Sequence, residues 1–286
     1  MPYTESVDLV AVRQRLAAIV FAKVAGPQGS TTRKLINDTP GPRWFGPDRP
    51  IRRVHGDMAI FIGGLRALLL QSLHPLAMAA VAEHSDYRSD PWGRLQRTAA
   101  FLGMTTYGPA ADAQRMVDHV RGVHRRVHGT APDGREYRAS DPHLLAWVHV
   151  AEVDSFLRCH QRYGEEPLDD AGCDEYVADM ARIGAALGVV DPPLTRDELA
   201  ARVAAYRPEL RGTKEARDAA RFLLLWPPLP LAARAPYAVL GATAVAMLPA
   251  WARWPLRLPY LPVTEATAIR LAGHSLVGGL RWIVSG

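Results

Sequence analysis

The chain has 286 residues, is 48% hydrophobic and carries a formal charge of +5. That is enough apolar material to bury a sizeable core, as one large or two small domains. Its basic residues are scattered and nearly all Arg, with Lys23, Lys34 and Lys214 the only lysines. No dense basic run with interleaved aromatics appears, so nucleic acid is excluded as a partner. Cys159 and Cys173 form neither a CxxC motif nor a disulfide framework, which fits a reduced cytoplasmic setting.

Taken in chain order, the pattern is almost entirely helical. Residues 7–24 have helical periodicity. With Glu5 and Asp8 early and no basic leader or clear cleavage site, they read as an amphipathic helix and not as a signal. Residues 26–57 are rich in Gly, Pro, Asp and Arg and read as a long irregular surface arm, with Thr39-Pro-Gly-Pro42 as a turn cluster. This divides the chain into an N-terminal helix with its arm (1–57) and an all-helical domain (58–286). The domain opens with an apolar helix over 58–82, interrupted at Gly63-Gly64 and bent at Pro75. Asp90-Pro91 supplies an N-cap and a proline at the first helical position, for a helix to about Gly103. The next helix spans 112–128, with Gly129 closing it as the residue after the C-cap. Asp141-Pro142 repeats the start signal for a helix to about Tyr163. Further helices follow at 169–187, 195–206, 214–225, 235–248 and 264–284. No period-two run exceeds four residues, so the fold class is all-α.

Within 235–252 the run is uncharged and nearly long enough to be considered for a membrane span. Pro236 and Pro249 confine its helical part to about a dozen residues, too short to cross comfortably. A buried core helix is the reading adopted. The flanking Trp226, Trp251, Trp254, Arg234, Arg253 and Arg257 also suit peripheral contact with a membrane surface.

Three successive predicted helices carry His or Arg within an apolar stripe, and burying such groups is costly unless something binds them. In the 112–128 helix, Met116, Val117, Val120, Val123 and Val127 form one face. His124 lies along it, with Arg121 one turn before and His128 one turn after. A neutral imidazole on a rigid apolar helix is what a haem iron requires of a proximal ligand. An amphipathic helix whose His124 bonds a carbonyl explains the same spacing. His149, with Glu152 one turn on, suits a propionate partner, a second ligand or a plain His–Glu pair. On the helix after Asp90, Arg94, Thr98 and Phe101 share a face with Arg97 beside it. Arginines there are solvated by default, and inward-facing they suit anionic propionates, with Thr98 as a donor to dioxygen. His74, ahead of Pro75, is a candidate distal acid–base group or sixth ligand, or a partner to the Gln71 carbonyl freed by the kink. No nucleophile elbow, P-loop, dinucleotide fingerprint or HExxH occurs. No Glu precedes His124 or His149 at the spacing of a di-iron carboxylate site, since Arg121 and Ala146 stand there.

The order Gln71…His74-Pro75, Asp90-Pro-Trp-Gly-Arg94-Leu-Gln-Arg97-Thr98, Tyr107-Gly108, Arg121-Gly-Val-His124-Arg-Arg-Val-His128-Gly129, Tyr137-Arg-Ala139-Ser-Asp141-Pro142 and Trp147-Val-His149 resembles the MpaB/rubber-oxygenase catalytic-domain family. This family includes the latex-clearing proteins. The likeness covers roughly residues 61–222. It implies an all-helical domain with a globin-like core around a buried pocket, b-type haem and oxidative cleavage of carbon–carbon double bonds in isoprenoid substrates. By position it makes His124 the proximal haem ligand and sets Arg94 and Thr98 in the distal Arg-x-x-Lys-Thr motif. Arg97 replaces the lysine of that motif, and a guanidinium does not deprotonate to ligate iron. The distal carboxylate of the rubber-cleaving members has no clear counterpart, the nearest polar group being His74.

The expectation is therefore a haem-dependent, oxygenase-like oxidoreductase of bacterial type, cytoplasmic or membrane-associated. It would use dioxygen on a small lipophilic, unsaturated substrate. His74, Arg94 and Thr98 would serve catalysis, with His124 on the iron and Arg97, Arg121, His128 and His149 around the cofactor. The alternatives are a haem-binding or haem-sensing module without turnover, a lipid-binding helical protein, and a non-haem metal oxidoreductase using His74, His124 and His149.

Overall fold

Gly63 sits where two helices come closest. A Cβ at Gly63 would lie 2.8 Å from Cδ1 of Phe156 and 3.1 Å from its Cα. The computed structural model describes residues 9–285. In it α4 (Ile60–Gln71) and α8 (Pro142–Tyr163) make the most extensive helix–helix contact. Contrary to the expectation from sequence, the glycines at 63–64 do not interrupt the helix. They let its backbone approach α8.

Around this pair lie α1 (Leu9–Ala25), α2 (Gly29–Asp38), α3 (Pro50–Gly56), α5 (Pro75–His84), α6 (Pro91–Tyr107) and α7 (Ala110–Arg126). The predicted start of the first helix, at residues 7 and 8, lies outside the described residues. A short antiparallel hairpin, β1 (His128–Thr130) with β2 (Glu136–Arg138), pairs Gly129 with Tyr137. The chain continues through α9 (Asp170–Leu187), α10 (Arg196–Tyr206), a 3-10 turn (Arg207–Glu209), α11 (Lys214–Leu225), α12 (Leu231–Met247) and α13 (Ala250–Leu256). It closes with α14 (Pro262–Thr264), a π-helical turn (Glu265–Ile269) and α15 (Arg270–Val284). The molecule is a single all-α domain.

Local chemistry explains most helix starts. The side chains of Asp90, Asp141, Asp169 and Thr195 accept the amides of Gly93, His143, Gly172 and Glu198. Each satisfies a donor that the first turn leaves unpaired. The arm predicted over 26–57 is irregular mainly over 39–49. Its prolines and glycines bound two short helices, with Pro50 at the first position of α3. Phe45, Ile51 and Val54 from this stretch enter the main core.

At Ser72–His74 the chain turns through 108° between α4 and α5. Pro75 removes one backbone donor, and the Gln71 carbonyl takes the indole N–H of Trp147 at 3.1 Å. Arg66, one turn after Gly63, is fully buried yet charged. Its Nη2 meets Asp154 at 2.7 Å, its Nη1 Ser155 at 2.6 Å and its Nε the Met247 carbonyl at 2.8 Å. One guanidinium thus ties α4, α8 and the end of α12. At the far end, Arg281 donates to both oxygens of Asp57 at 2.8 Å, while Asp57 accepts the amide of Ala59 at 2.7 Å.

The buried reading of 235–252 is half right. Gly241, Thr243, Ala244, Val245 and Leu248 are buried, whereas Arg234, Ala235 and Pro236 are exposed. Nearby, Trp226 and Trp254 are 74% and 87% exposed. No single helix among the described residues is long and apolar enough to cross a membrane. Two helix pairs, α4 with α5 and α12 with α13, reach that length and composition only when joined across bends of 108° and 120°.

Asp154→Ala leaves the Arg66 charge buried without its counterion and is expected to cost about 3–5 kcal/mol of unfolding free energy. Replacing both together, Arg66→Met with Asp154→Leu, should restore most of that loss in urea denaturation. A single variant that unfolds like the parent would contradict this account.

Candidate active site

Two polar clusters lie on different sides of α8. Trp147 and His149 are two residues apart, about 200° around the helix, so they face opposite directions.

On the His149 side, His149, Glu152 and His124 each have a side-chain atom without a hydrogen-bond partner among the described residues. His149 is buried and its Nε2 has no hydrogen bond; burial pushes its pKa down to about 4. Its ring occupies the space left by Gly184 on α9, where a Cβ would lie 2.8 Å from Cε1. Glu152, one turn along, makes no hydrogen bond or ion pair among the described residues, and burial raises its carboxyl to about 7. The expected His149–Glu152 pair does not form. Glu152 instead acts with burial to raise the phenol of Tyr176, whose hydroxyl lies 3.4 Å from Nε2 of His55.

His124 projects from the last turn of α7, on the stripe of Ala113, Val117 and Val120. Burial lowers its pKa, and its buried Nδ1 has no partner. The ring is a neutral imidazole, and neither nitrogen has a hydrogen-bond partner among the described residues. Arg121 on the same helix is exposed and reaches the Ala186 carbonyl of α9 at 3.4 Å. Thus α7 and His149 both abut the last turns of α9.

His128 is not on the His124 face. The helix ends at Arg126, Val127 is extended, and His128 is exposed in β1, its carbonyl bonded by His84. Gly129 is consequently a strand residue paired with Tyr137, not the residue that closes the helix.

Arg94, in the first turn of α6, is half-buried and bonds the Ser85 hydroxyl; burial and then the charge of Arg97 lower its pKa. Helix α6 packs on α7, and Arg94 and His124 both lie at the ends of these helices remote from their Gly108-Pro109 link. Arg97 is exposed and pairs with Asp90 at 3.4 Å. Thr98 is exposed and donates its hydroxyl to the Arg94 carbonyl at 3.0 Å.

His74 belongs to the other cluster. No hydrogen bond or ring contact joins it to His124, His149, Arg94 or Thr98 among the described residues. It lies instead beside Trp147, Tyr206 and His143, with ring centroids 6.4, 6.4 and 6.0 Å away, and its Nε2 is 3.5 Å from Glu209. His143, Tyr206 and Glu209 were not singled out from the sequence. His143 and Glu209 are 66 residues apart and carry no spacing signal.

The donor set of the first cluster is of the kind that suits a haem. His124 offers a neutral imidazole without a hydrogen-bond partner, and Arg94 a half-buried guanidinium suited to propionates.

The family model described as ER-bound oxygenase mpaB/B'/Rubber oxygenase, catalytic domain, matches residues 52–282. No curated protein and no solved structure matches the chain.

The uncharged form of Glu152 is favoured in the fold, so between about pH 4.5 and about 7 the native state holds a proton that the unfolded chain has released. Stability on this account falls as pH rises through that window. Glu152→Gln removes the penalty, gaining up to about 3 kcal/mol at pH 8 and nothing at pH 4. Urea denaturation at the two pH values checks it; an equal effect at both would contradict the assignment.

Proposed function

The chain belongs to the MpaB/rubber-oxygenase catalytic-domain family, and on that premise we propose that it is a haem-b-dependent oxygenase-like enzyme acting with dioxygen on a small lipophilic, unsaturated substrate. The observation that carries this reading is His124: an imidazole kept neutral by burial, without a hydrogen bond, on a helix within the matched span.

In the proposed site His124 would hold the iron through an imidazole nitrogen. Arg94, at the same end of the α6–α7 pair, would balance anionic carboxylates through a guanidinium that stays charged. Haem supplies, when bound, the redox-active iron that chemistry with dioxygen requires. His149 stays uncharged at neutral pH and places a second neutral imidazole within the same helical group, able to accept or return a proton at Nε2. Glu152, near half-protonation at pH 7, is the other group suited to move a proton there. Thr98 serves as a donor only if its hydroxyl leaves the Arg94 carbonyl. Arg97 offers a guanidinium where a lysine would offer an amine, and would not ligate an iron from that position. The half-buried Phe101 and the Val120 stripe limit water and favour an apolar substrate.

Both cysteines are free and buried, which supports a reducing compartment such as the cytoplasm. The exposed Trp226, Trp254, Leu225 and Leu231, with exposed Arg221, Arg234 and Arg257 nearby in sequence, support peripheral contact with an anionic membrane that would hold such a substrate.

The purified protein should show a Soret band and a positive pyridine-haemochrome test, and His124→Ala should lose both. A haem-loaded protein with no Soret band, or one indifferent to His124, would end this reading. Oxygen uptake on adding an alkene separates an enzyme from a haem sensor, which would bind haem and consume none.

A further inference from the structure

The bend between α4 and α5 holds a set of ligands that the proposed reaction leaves unused. His74 caps α5 from an extended backbone conformation, is 1% exposed, and its buried Nε2 has no hydrogen-bond partner. That nitrogen faces Oε2 of Glu209 at 3.5 Å. His143, in the first turn of α8, puts its own Nε2 2.8 and 3.0 Å from the two oxygens of the same carboxylate. One ligand atom from each residue lies within 4.8 Å of the other two. We propose that His74, His143 and Glu209 bind a divalent transition-metal cation of the zinc class, clasping the α4–α5 bend to the start of α8 and to the 3-10 turn.

The donor set is two imidazole nitrogens and one carboxylate oxygen, a combination that zinc takes with bonds of about 2.0–2.2 Å. In a tetrahedral site those bonds put neighbouring ligand atoms about 3.4 Å apart. His74 and Glu209 already stand at 3.5 Å. His143 and Glu209 have to open by a fraction of an ångström, and both side chains are on the surface with room to do so. The remaining coordination position faces solvent and water fills it.

The protons fit this exchange. His74 Nδ1 accepts the Ala77 amide at 3.5 Å, which leaves the ring proton on Nε2, directed at the cluster. His143 faces the carboxylate with Nε2 in the same way. A cation bound at Nε2 leaves each neutral ring with its single proton moved to Nδ1, so no ring proton is lost. His74 then carries its proton on Nδ1 and gives up a long, weak contact, while the Met78 amide still bonds its carbonyl at 2.9 Å. Burial keeps His74 neutral against the pull of Glu209, so little protonation competes with the cation.

The ligands are held before any cation arrives. The Tyr206 hydroxyl donates to the His143 carbonyl at 2.8 Å and lies 3.4 Å from its Nδ1. The Arg211 amide bonds the Leu73 carbonyl at 2.7 Å, fastening the residue before His74 to the chain just past Glu209. Arg135, a nearby cation, is bound to Asp133 through Nε and Nη2 and leaves the cluster open.

The test uses the chelator-treated full chain, titrated with Zn2+ by calorimetry and with Co2+ by visible absorption. The expected result is a one-equivalent Zn2+ site and the intense visible bands of low-coordinate Co2+. His143→Ala and Glu209→Gln, both surface changes whose folding is checked by circular dichroism, should each weaken Zn2+ binding at least tenfold. His119→Ala, an exposed histidine elsewhere, should leave it unchanged. No Zn2+ binding, or binding equally strong in His143→Ala and Glu209→Gln, would overturn the site and leave an ordinary His143–Glu209 ion pair. Repeating the titration on His124→Ala keeps this result independent of haem, because that variant should bind Zn2+ as the parent does.

Discussion

The close approach of α4 to α8 governs the rest of the molecule. It exists because residue 63 has no side chain, and it is fixed by a charge that cannot be left alone. Arg66 would be prohibitively costly to bury unpaired, and in this position it is satisfied by Asp154, Ser155 and the Met247 carbonyl together. The pairing holds α8 along the axis of the domain, so its remaining sides are available to other helices. One side carries His149 and Glu152 toward α9. The other carries Trp147 and His143 toward the α4–α5 bend.

Burial then sorts the histidines by chemical state. Removing water disfavours the charged form, and His55, His74, His124, His149 and His160 are all driven toward the neutral imidazole. Neutral imidazole is the form that binds metals. His55 spends its nitrogens on Thr106 and Tyr176. His124, His149 and His74 each keep a buried nitrogen unpaired, and they fall on two sides of one helix. The same physical cause thus leaves unpaired imidazole nitrogens in two separate places.

What the sequence revealed follows the range of the forces involved. Caps such as Asp90, Asp141 and Asp169 act within three residues, so those helix starts are legible in the sequence, whereas α12, which has no side-chain cap, starts at Leu231 and not at 235. The kink at Pro75 and the freed Gln71 carbonyl were equally visible, because proline acts on its own turn. Its partner, the indole of Trp147, was not, being 76 residues away. The short helices within 26–57 were missed because their prolines and glycines sit at their ends and resemble loop punctuation. The end of α7 was misplaced because the strand pairing of Gly129 with Tyr137 outweighs helical periodicity at His128. His124 and His149 were legible as polar residues on apolar faces. His143 and Glu209 sit on exposed turns where no pattern marks them, and only the tertiary fold brings them to His74.

The Arg281–Asp57 bridge has a topological consequence. Asp57 lies at the mouth of α4 and Arg281 in the last turn of α15, close to the two limits of the family-matched region. The matched domain is therefore closed into a ring by a side-chain clasp, with its sequence extremes adjacent in space. A covalent linker joining those extremes, with the chain reopened at the 131–135 hairpin loop, would preserve every helix contact around α4. The order of helices along the chain is then separable from their arrangement, and circular permutants of this domain become a practical format for it.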